Sequence, residues 1–403
     1  MEPSERSCRL SVAMIVRNCA AALGETIGSV RAIADEIVVL DTGSTDETPA
    51  VAARLGASLH RRSWDDDFAA ARNACLARAT GDWVLWLDAG ETISAEHASA
   101  LCEFLASVAD PGHAYTLHVV VPAAPDQVGS EQIAGLRLHP RRSGLRFTGR
   151  VREGMDASLA ELGLQLDALP LVIGRGGREH EAATKAAKAQ RNIRLADLTM
   201  SEHGPSAEMQ NVLGEAFQSL GDGVRAAQHY RRAIDLAERG SRHHLEAFYG
   251  LLSCLEGAAG ERSDQLSLCM LAVEHFPLDA QLLVALGGYL QLLDQTPLAI
   301  RAFDLAFRHG QVQPQVWHLP DIREIAAACA ATAMMAAGQQ DAARTLLEAA
   351  ACLFPASQRL AEQLAELEGR SVRVDPAASA GLYWPRHAAP ADSQPADAEP
   401  AAD

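Results

Sequence analysis

The residues best suited to chemistry cluster in three short segments. The first is Asp41-Thr42-Gly43-Ser44-Thr45-Asp46-Glu47. Ser44 with Glu47 three residues on reads as a capping box that starts a helix, and Gly43 allows the tight turn. Neither explains Asp41, a carboxylate well placed to accept hydrogen bonds from a base or ribose. The second is Trp64-Asp65-Asp66-Asp67-Phe68-Ala69-Ala70-Ala71-Arg72-Asn73. Its acids suit a helix N-terminus, with Asp67 as N-cap. Arg72, one turn further on, is either a solvated arginine or a bidentate clamp for phosphate. The third is Asp88-Ala89-Gly90-Glu91, directly after the apolar run Trp83–Leu87. It reads as a glycine turn, yet it puts Asp88 at the end of a buried strand. Two carboxylates sharing one crevice are costly without a cation or a donor between them.

These segments need a scaffold that brings them together. Leu10–Val16, Glu36–Leu40 and Trp83–Leu87 are apolar enough for strands buried on both faces. Between them, Leu23, Ile27 and Val30 share one helical face, and a second helix is expected from about Asp67 to Ala79. Strands alternating with helices predict β-α-β units and a mainly parallel sheet. Ligands of such sheets bind beyond the carboxyl ends of the strands, which is where Asp41 and Asp88 fall.

From about Glu179 the pattern turns helical. Gly214, Phe217, Gly221, Ala226, Tyr230 and Ala233 repeat as Gly287, Leu290, Ala299, Phe303 and Ala306, the small and large packing positions of a tetratricopeptide-like helix pair. Weaker copies end at Pro277 and Pro355. The expected organisation is an extension over 1–9, an α/β domain over 10–178, a connecting helix over 179–198, all-α helical repeats over 199–370 and a Pro/Ala-rich disordered tail over 371–403. Leu382, Tyr383 and Trp384 are the only sizeable apolar cluster of that tail.

Composition narrows the function. The 403 residues carry 35 basic and 52 acidic side chains, net −17, which argues against a nucleic-acid partner. No apolar run reaches the roughly 18–20 residues that span a bilayer. Residues 1–10 lack the apolar core of a signal peptide. The eight cysteines stand singly without a Cys-x-x-Cys pair, as in a reducing compartment. A cytoplasmic location is the expectation.

Taken in order, Leu10–Asn18, Glu36–Glu47, Trp64–Asn73 and Gly81–Glu91 resemble the family 2 glycosyltransferases, and most closely a bacterial type fused to tetratricopeptide repeats. The resemblance implies an A-type glycosyltransferase fold and transfer of a sugar, with inversion, from a nucleotide-sugar donor. By analogy Asp41 meets the base or ribose, Asp88 lies near the ribose and diphosphate, and Arg72 meets the diphosphate. Asp67, Arg150 and Arg152 complete the expected donor-binding set. The catalytic candidates are Asp88 and Glu153, with Glu153 as acceptor base, or alternatively a surface glutamate paired with Arg150 or Arg152. Asp65 and Asp66 are fallback carboxylates. The family also implies Mg²⁺ or Mn²⁺, for which Asp88 and Glu91 are the available ligands.

The sequence departs from the family at three points. Gly90 stands where the family has a further Asp, Arg152 where it tends to have His, and Gly174-Arg175-Gly176-Gly177 where relatives often carry His and Tyr. From Arg137 to Arg194 there are 12 basic and six acidic residues, so positive charge gathers beside the expected donor site. Arginines assisting diphosphate departure in place of a metal is one reading. A non-catalytic scaffold whose repeats bind a protein or peptide is the alternative, and a nucleotidyltransferase on a similar sheet is a third. In the first reading the repeats hold a protein, peptide or glycan acceptor.

Overall fold

A computed structural model describes residues 8–107, 109–122, 130–176, 182–257, 262–367 and 369. The expected tail over 371–403 and most of the 1–9 extension lie outside the described residues. The chain divides into two compact units: Met1–Arg178 with Leu195–His203 and Pro314–Trp317, and Glu179–Arg194 with Gly204–Gln313 and His318–Asp403.

The first unit is built on eight strands: β1 (Leu10–Val16), β2 (Glu36–Asp41), β3 (Ser58–Arg61), β4 (Trp83–Trp86), β5 (Glu91–Ile93), β6 (His113–Val121), β7 (Glu131–Pro140) and β8 (Gln165–Arg175). They form one sheet in the order β3-β2-β1-β4-β7-β6-β8-β5. The sheet is mixed: β1–β2, β2–β3, β1–β4 and β6–β8 run parallel, while β4–β7, β6–β7 and β5–β8 run antiparallel. The expected β-α-β logic holds where helices separate the strands. It gives way at β6 and β7, which are consecutive strands among the described residues and pair antiparallel.

The apolar strands fill both faces because successive side chains alternate. Leu10, Val12, Met14, Val39 and Leu85 join one core with Leu23, Ile27 and Val30 of the helix Ala20–Val30. Ala13, Val38, Leu40, Val84 and Trp86 join another with Ala69, Ala71 and Cys75 of the helix Phe68–Leu76. That helix is shorter than the span expected to Ala79. It starts at Asp67, whose carboxylate accepts from Ala70 N at 2.8 Å. Beyond β1 the chain turns one way to β2 and β3, then returns to place β4 on β1's other side. Ligands of open α/β sheets bind at such a reversal, here at the carboxyl ends of β1 and β4.

The second unit is helical. Ala207–Ser219 pairs with Gly223–Leu236, Ala280–Leu292 with Thr296–His309, and Ile322–Ala336 with Gln340–Leu353. Gly214 and Gly287 of the repeat, and Gly250, owe their identity to close approach. A Cβ on Gly214 would come within 2.6 Å of the Tyr230 ring, one on Gly250 within 2.2 Å of the same ring, and one on Gly287 within 2.5 Å of Phe303. Tyr230 is thus gripped between two helices that both lack a side chain at the contact. Among the described residues, no helix is long and apolar enough to cross a membrane.

Candidate functional site

Asp41 and Asp88 share the carboxyl edge of the sheet. Asp41 is the last residue of β2 and pairs in register with Val16 of β1. Asp88 follows β4, whose Trp86 is level with Ala13 of β1. Only β1 separates the two strands, so their backbones at the two residues stand about two strand spacings apart, roughly 10 Å.

Asp41 is buried at 3% exposure. Its Oδ1 accepts from Ser44 Oγ at 2.7 Å, Ser44 N at 2.9 Å and Gly43 N at 3.3 Å. The tight turn is therefore real and Asp41 is its organiser, but the Ser44–Glu47 capping box is not formed: the helix Thr48–Arg54 begins after Glu47, whose side chain makes no cap bond, and Ser44 Oγ is bonded to Asp41. Gly43 adopts φ +106°, a conformation costly for any side-chain-bearing residue.

Asp88 is the outer member of a network of three arginines and three carboxylates. Its Oδ1 meets Arg72 Nη2 at 3.1 Å, and its Oδ2 meets Arg175 Nη2 at 3.5 Å and Arg137 Nη1 at 3.8 Å. Beneath it lies Glu91, with a side chain 1% exposed. Glu91 Oε1 accepts from Arg137 Nη2 at 2.8 Å and Arg175 Nη2 at 2.6 Å. Glu91 Oε2 accepts from Asp88 N at 2.8 Å and so closes the turn. On the other side Arg72 Nε donates to Glu153 Oε1 at 2.6 Å. Burial opposes ionisation of Asp88, but the charges of Arg72, Arg137 and Arg175 hold its carboxyl well below the usual carboxylate range. Such a group keeps a negative charge and is a poor proton acceptor.

Each arginine is positioned by a rigid element. Arg137 sits within β7, beside β4, and Arg175 ends β8 directly opposite Glu91 of β5. Arg72 lies on the helix Phe68–Leu76, its guanidinium 5.1 Å from the Trp86 ring centre and 5.6 Å from that of Phe147, both favourable cation–π separations. Trp86 Nε1 in turn donates to His139 Nε2 at 3.0 Å. His139 is fully buried, and burial lowers its pKa to about 4 despite the bond at 2.9 Å from Nδ1 to Pro140 O. The neutral ring donates through Nδ1 and accepts at Nε2, which fixes the indole that carries Arg72.

Other expected site residues do not join this network. Asp67 is committed to its cap. Arg150 is turned to Glu202, with Nη2–Oε1 at 2.6 Å, and to Asp66 O at 3.2 Å. Asp65 pairs with Arg62 at 2.5 Å. Arg152 lies in the Glu153 turn with φ +52°. Glu153 is drawn inward to Arg72, not paired at the surface with Arg150 or Arg152. Arg137 is the residue that sequence reading counted without singling out. The signal was available: an arginine between Leu136 and Leu138 inside a strand has no reason to be buried unless carboxylates await it.

Residues 11–119 match the family model described as glycosyl transferase family 2. This segment is a family 2 glycosyltransferase domain. Across a longer stretch, the chain is 35% identical over 229 residues to a TPR repeat-containing protein of Synechococcus elongatus, covering 55% of each. It is also 35% identical over 88 residues to an uncharacterized glycosyltransferase of Rickettsia felis, covering 22% of this chain and 31% of that one. The chain thus spans about half, or less, of the curated relatives it matches. Mannosyl-3-phosphoglycerate synthase from Rubrobacter xylanophilus overlaps with a TM-score of 0.35 and 18% identity, over 49% of this chain and 75% of that one. Glucosyl-3-phosphoglycerate synthase from Mycobacterium tuberculosis, solved with Mn²⁺ and UDP-glucose, gives 0.34 and 20%, over 49% and 80%. Likenesses this slight carry no argument about substrate or metal.

The donor set of this family 2 domain does not fit a divalent cation. Gly90 offers no side chain, and its φ of +97° suits glycine. Asp88 and Glu91 are already engaged by guanidinium groups that would repel a cation. Among the described residues, no group of three or more His, Cys, Asp or Glu side chains is arranged to hold a metal ion.

Proposed function

We propose that this chain moves a sugar from a nucleoside diphosphate donor to an acceptor hydroxyl, with inversion, and that arginines assist departure of the diphosphate. The observation that carries this reading is the pair Asp41 and Asp88 on one carboxyl edge of a family 2 domain, with Arg72 reaching Asp88 at 3.1 Å. The donor's base or ribose lies toward Asp41 and its diphosphate toward Arg72. The acceptor oxygen attacks the anomeric carbon as the bond to the diphosphate breaks. Negative charge grows on the leaving group, where preorganised guanidinium groups stabilise it most. The acceptor proton passes to Glu153, whose carboxylate lies 2.6 Å from Arg72 Nε. The helical repeats hold the acceptor, a protein, peptide or glycan. No step is routed through a metal.

Turnover of a panel of nucleotide sugars tests this reading. Release of nucleoside diphosphate from at least one donor is expected, and silence across the panel would overturn it. A second reading, a non-catalytic scaffold, draws on one observation: every guanidinium of the network already has a carboxylate partner. Tight peptide binding by the full chain without donor turnover would favour that scaffold.

A further inference from the structure

The contacts within the arginine network are unequal. Those that orient the guanidinium groups from within are short: Arg72 to Glu153 at 2.6 Å, Arg137 to Glu91 at 2.8 Å and Arg175 to Glu91 at 2.6 Å. Those that reach outward to Asp88 are long: 3.1, 3.5 and 3.8 Å. Exposure follows the same division. The Glu91 and Glu153 side chains are 1% and 12% exposed, whereas Asp88 is 36% exposed. Among the described residues, each arginine has a buried carboxylate partner that fixes its direction. All three share a single loosely held anion at the mouth.

We propose that Arg72, Arg137 and Arg175 form a cation-free receptor for a diphosphate group, and that the Asp88 carboxylate is the internal anion which the ligand displaces. This rests on the reading of the sheet's carboxyl edge as a donor site. With Asp88 swung aside, the described residues that remain at the mouth are three guanidinium groups and the carboxylates of Glu91 and Glu153. Planar forks of N–H donors match phosphate oxygens in pairs. Arg137 comes from β7, Arg175 from the end of β8 and Arg72 from a helix, so the donors approach from three directions and are held before the ligand arrives. Gly90 is part of the same logic. A third carboxylate on that turn would meet an already balanced network and repel the ligand.

Calorimetry of the full chain with inorganic pyrophosphate tests the proposal, because pyrophosphate needs neither sugar nor acceptor. Wild-type protein in excess chelator is expected to bind it, with affinity unchanged or weakened when Mg²⁺ is added. Asp88→Asn is expected to bind about tenfold tighter, since the competing anion is gone, and Arg137→Met and Arg175→Met each about tenfold weaker or worse. Binding that appears only with Mg²⁺ or Mn²⁺, absence of binding in either condition, or weaker binding by folded Asp88→Asn would overturn it. If that variant does not fold, the wild-type comparison with and without chelator decides alone. Pyrophosphate binding without donor turnover would remove the transferase reading and leave the receptor. Turnover that demands a divalent cation would do the reverse.

Discussion

Arg72 Nε and Glu153 Oε1 meet at 2.6 Å although 81 residues separate them, and both side chains are largely buried. The pair ties the helix that carries Arg72 to the turn after Phe147. It also changes what Glu153 can be. A surface glutamate beside Arg150 or Arg152 would have no part in the site. Its partner Arg72 also reaches Asp88, so Glu153 joins the same ion-pair network.

If Glu153 takes the acceptor proton, Glu153→Gln lowers kcat by about 10²–10⁴ and leaves the donor KM within a few-fold. The amide oxygen still accepts from Arg72 Nε, so the arginine keeps its place. Steady-state kinetics separate this from a purely positioning role, in which kcat persists and the donor KM rises.

Asp41→Ala removes an acceptor that organises the Gly43–Ser44 turn through three donors. Among the described residues Oδ1 receives all of these bonds. Nucleoside diphosphate affinity should fall by the cost of a lost buried acceptor, about 1–3 kcal/mol. Calorimetry that finds unchanged affinity would remove Asp41 from the donor site.

Much of this site was legible in the residues alone, for a physical reason. Leu10–Val16 and Trp83–Leu87 are apolar enough to be buried on both faces, and that burial forces a central sheet with Asp41 and Asp88 at strand ends. Local chemistry was legible too, as with the cap at Asp67 and the turn at Gly43. Pairing across long separations was not. Nothing in the neighbourhood of Glu153 names Arg72, and nothing near Glu91 names Arg175, because strand order decides those meetings. Arg137 was missed for the same reason: its partners lie on β5 and beyond β4, not on its own strand.

The repeat glycines yield a steric prediction. Gly250→Ala would put a methyl 2.2 Å from the Tyr230 ring, and Gly287→Ala one 2.5 Å from Phe303. Because these are ring atoms in a packed interface, the helices must separate. A cost of about 1–3 kcal/mol is expected for each, read as a lower thermal midpoint. Gly223→Ala is the control, since a Cβ there meets nothing within 4 Å.

The last prediction concerns pH. Asp279 is 8% exposed; it caps the helix Ala280–Leu292 through Leu282 N at 2.9 Å and accepts from Tyr249 Oη at 2.7 Å. Burial outweighs these bonds and raises its pKa to about 6 from an ordinary value of 3.8. The folded state thus holds the proton more tightly than the unfolded chain does. Stability from this group is full below the unfolded value and is lost as pH rises through about 6. Asp88 opposes this only in more acidic solution, because its depressed carboxyl contributes stability that is lost as pH falls. Between about pH 5 and pH 7.5 His139 and His244, whose pKa burial lowers, contribute stability that rises with pH, so the Asp279 contribution, worth roughly 1–2 kcal/mol, is read as the difference between wild type and variant. Asp279→Asn keeps an oxygen for the cap and removes the ionisation. The stability of the variant relative to wild type should rise by that amount from pH 5 to pH 7.5, and a constant difference would mean that Asp279 is ionised at no cost to the fold.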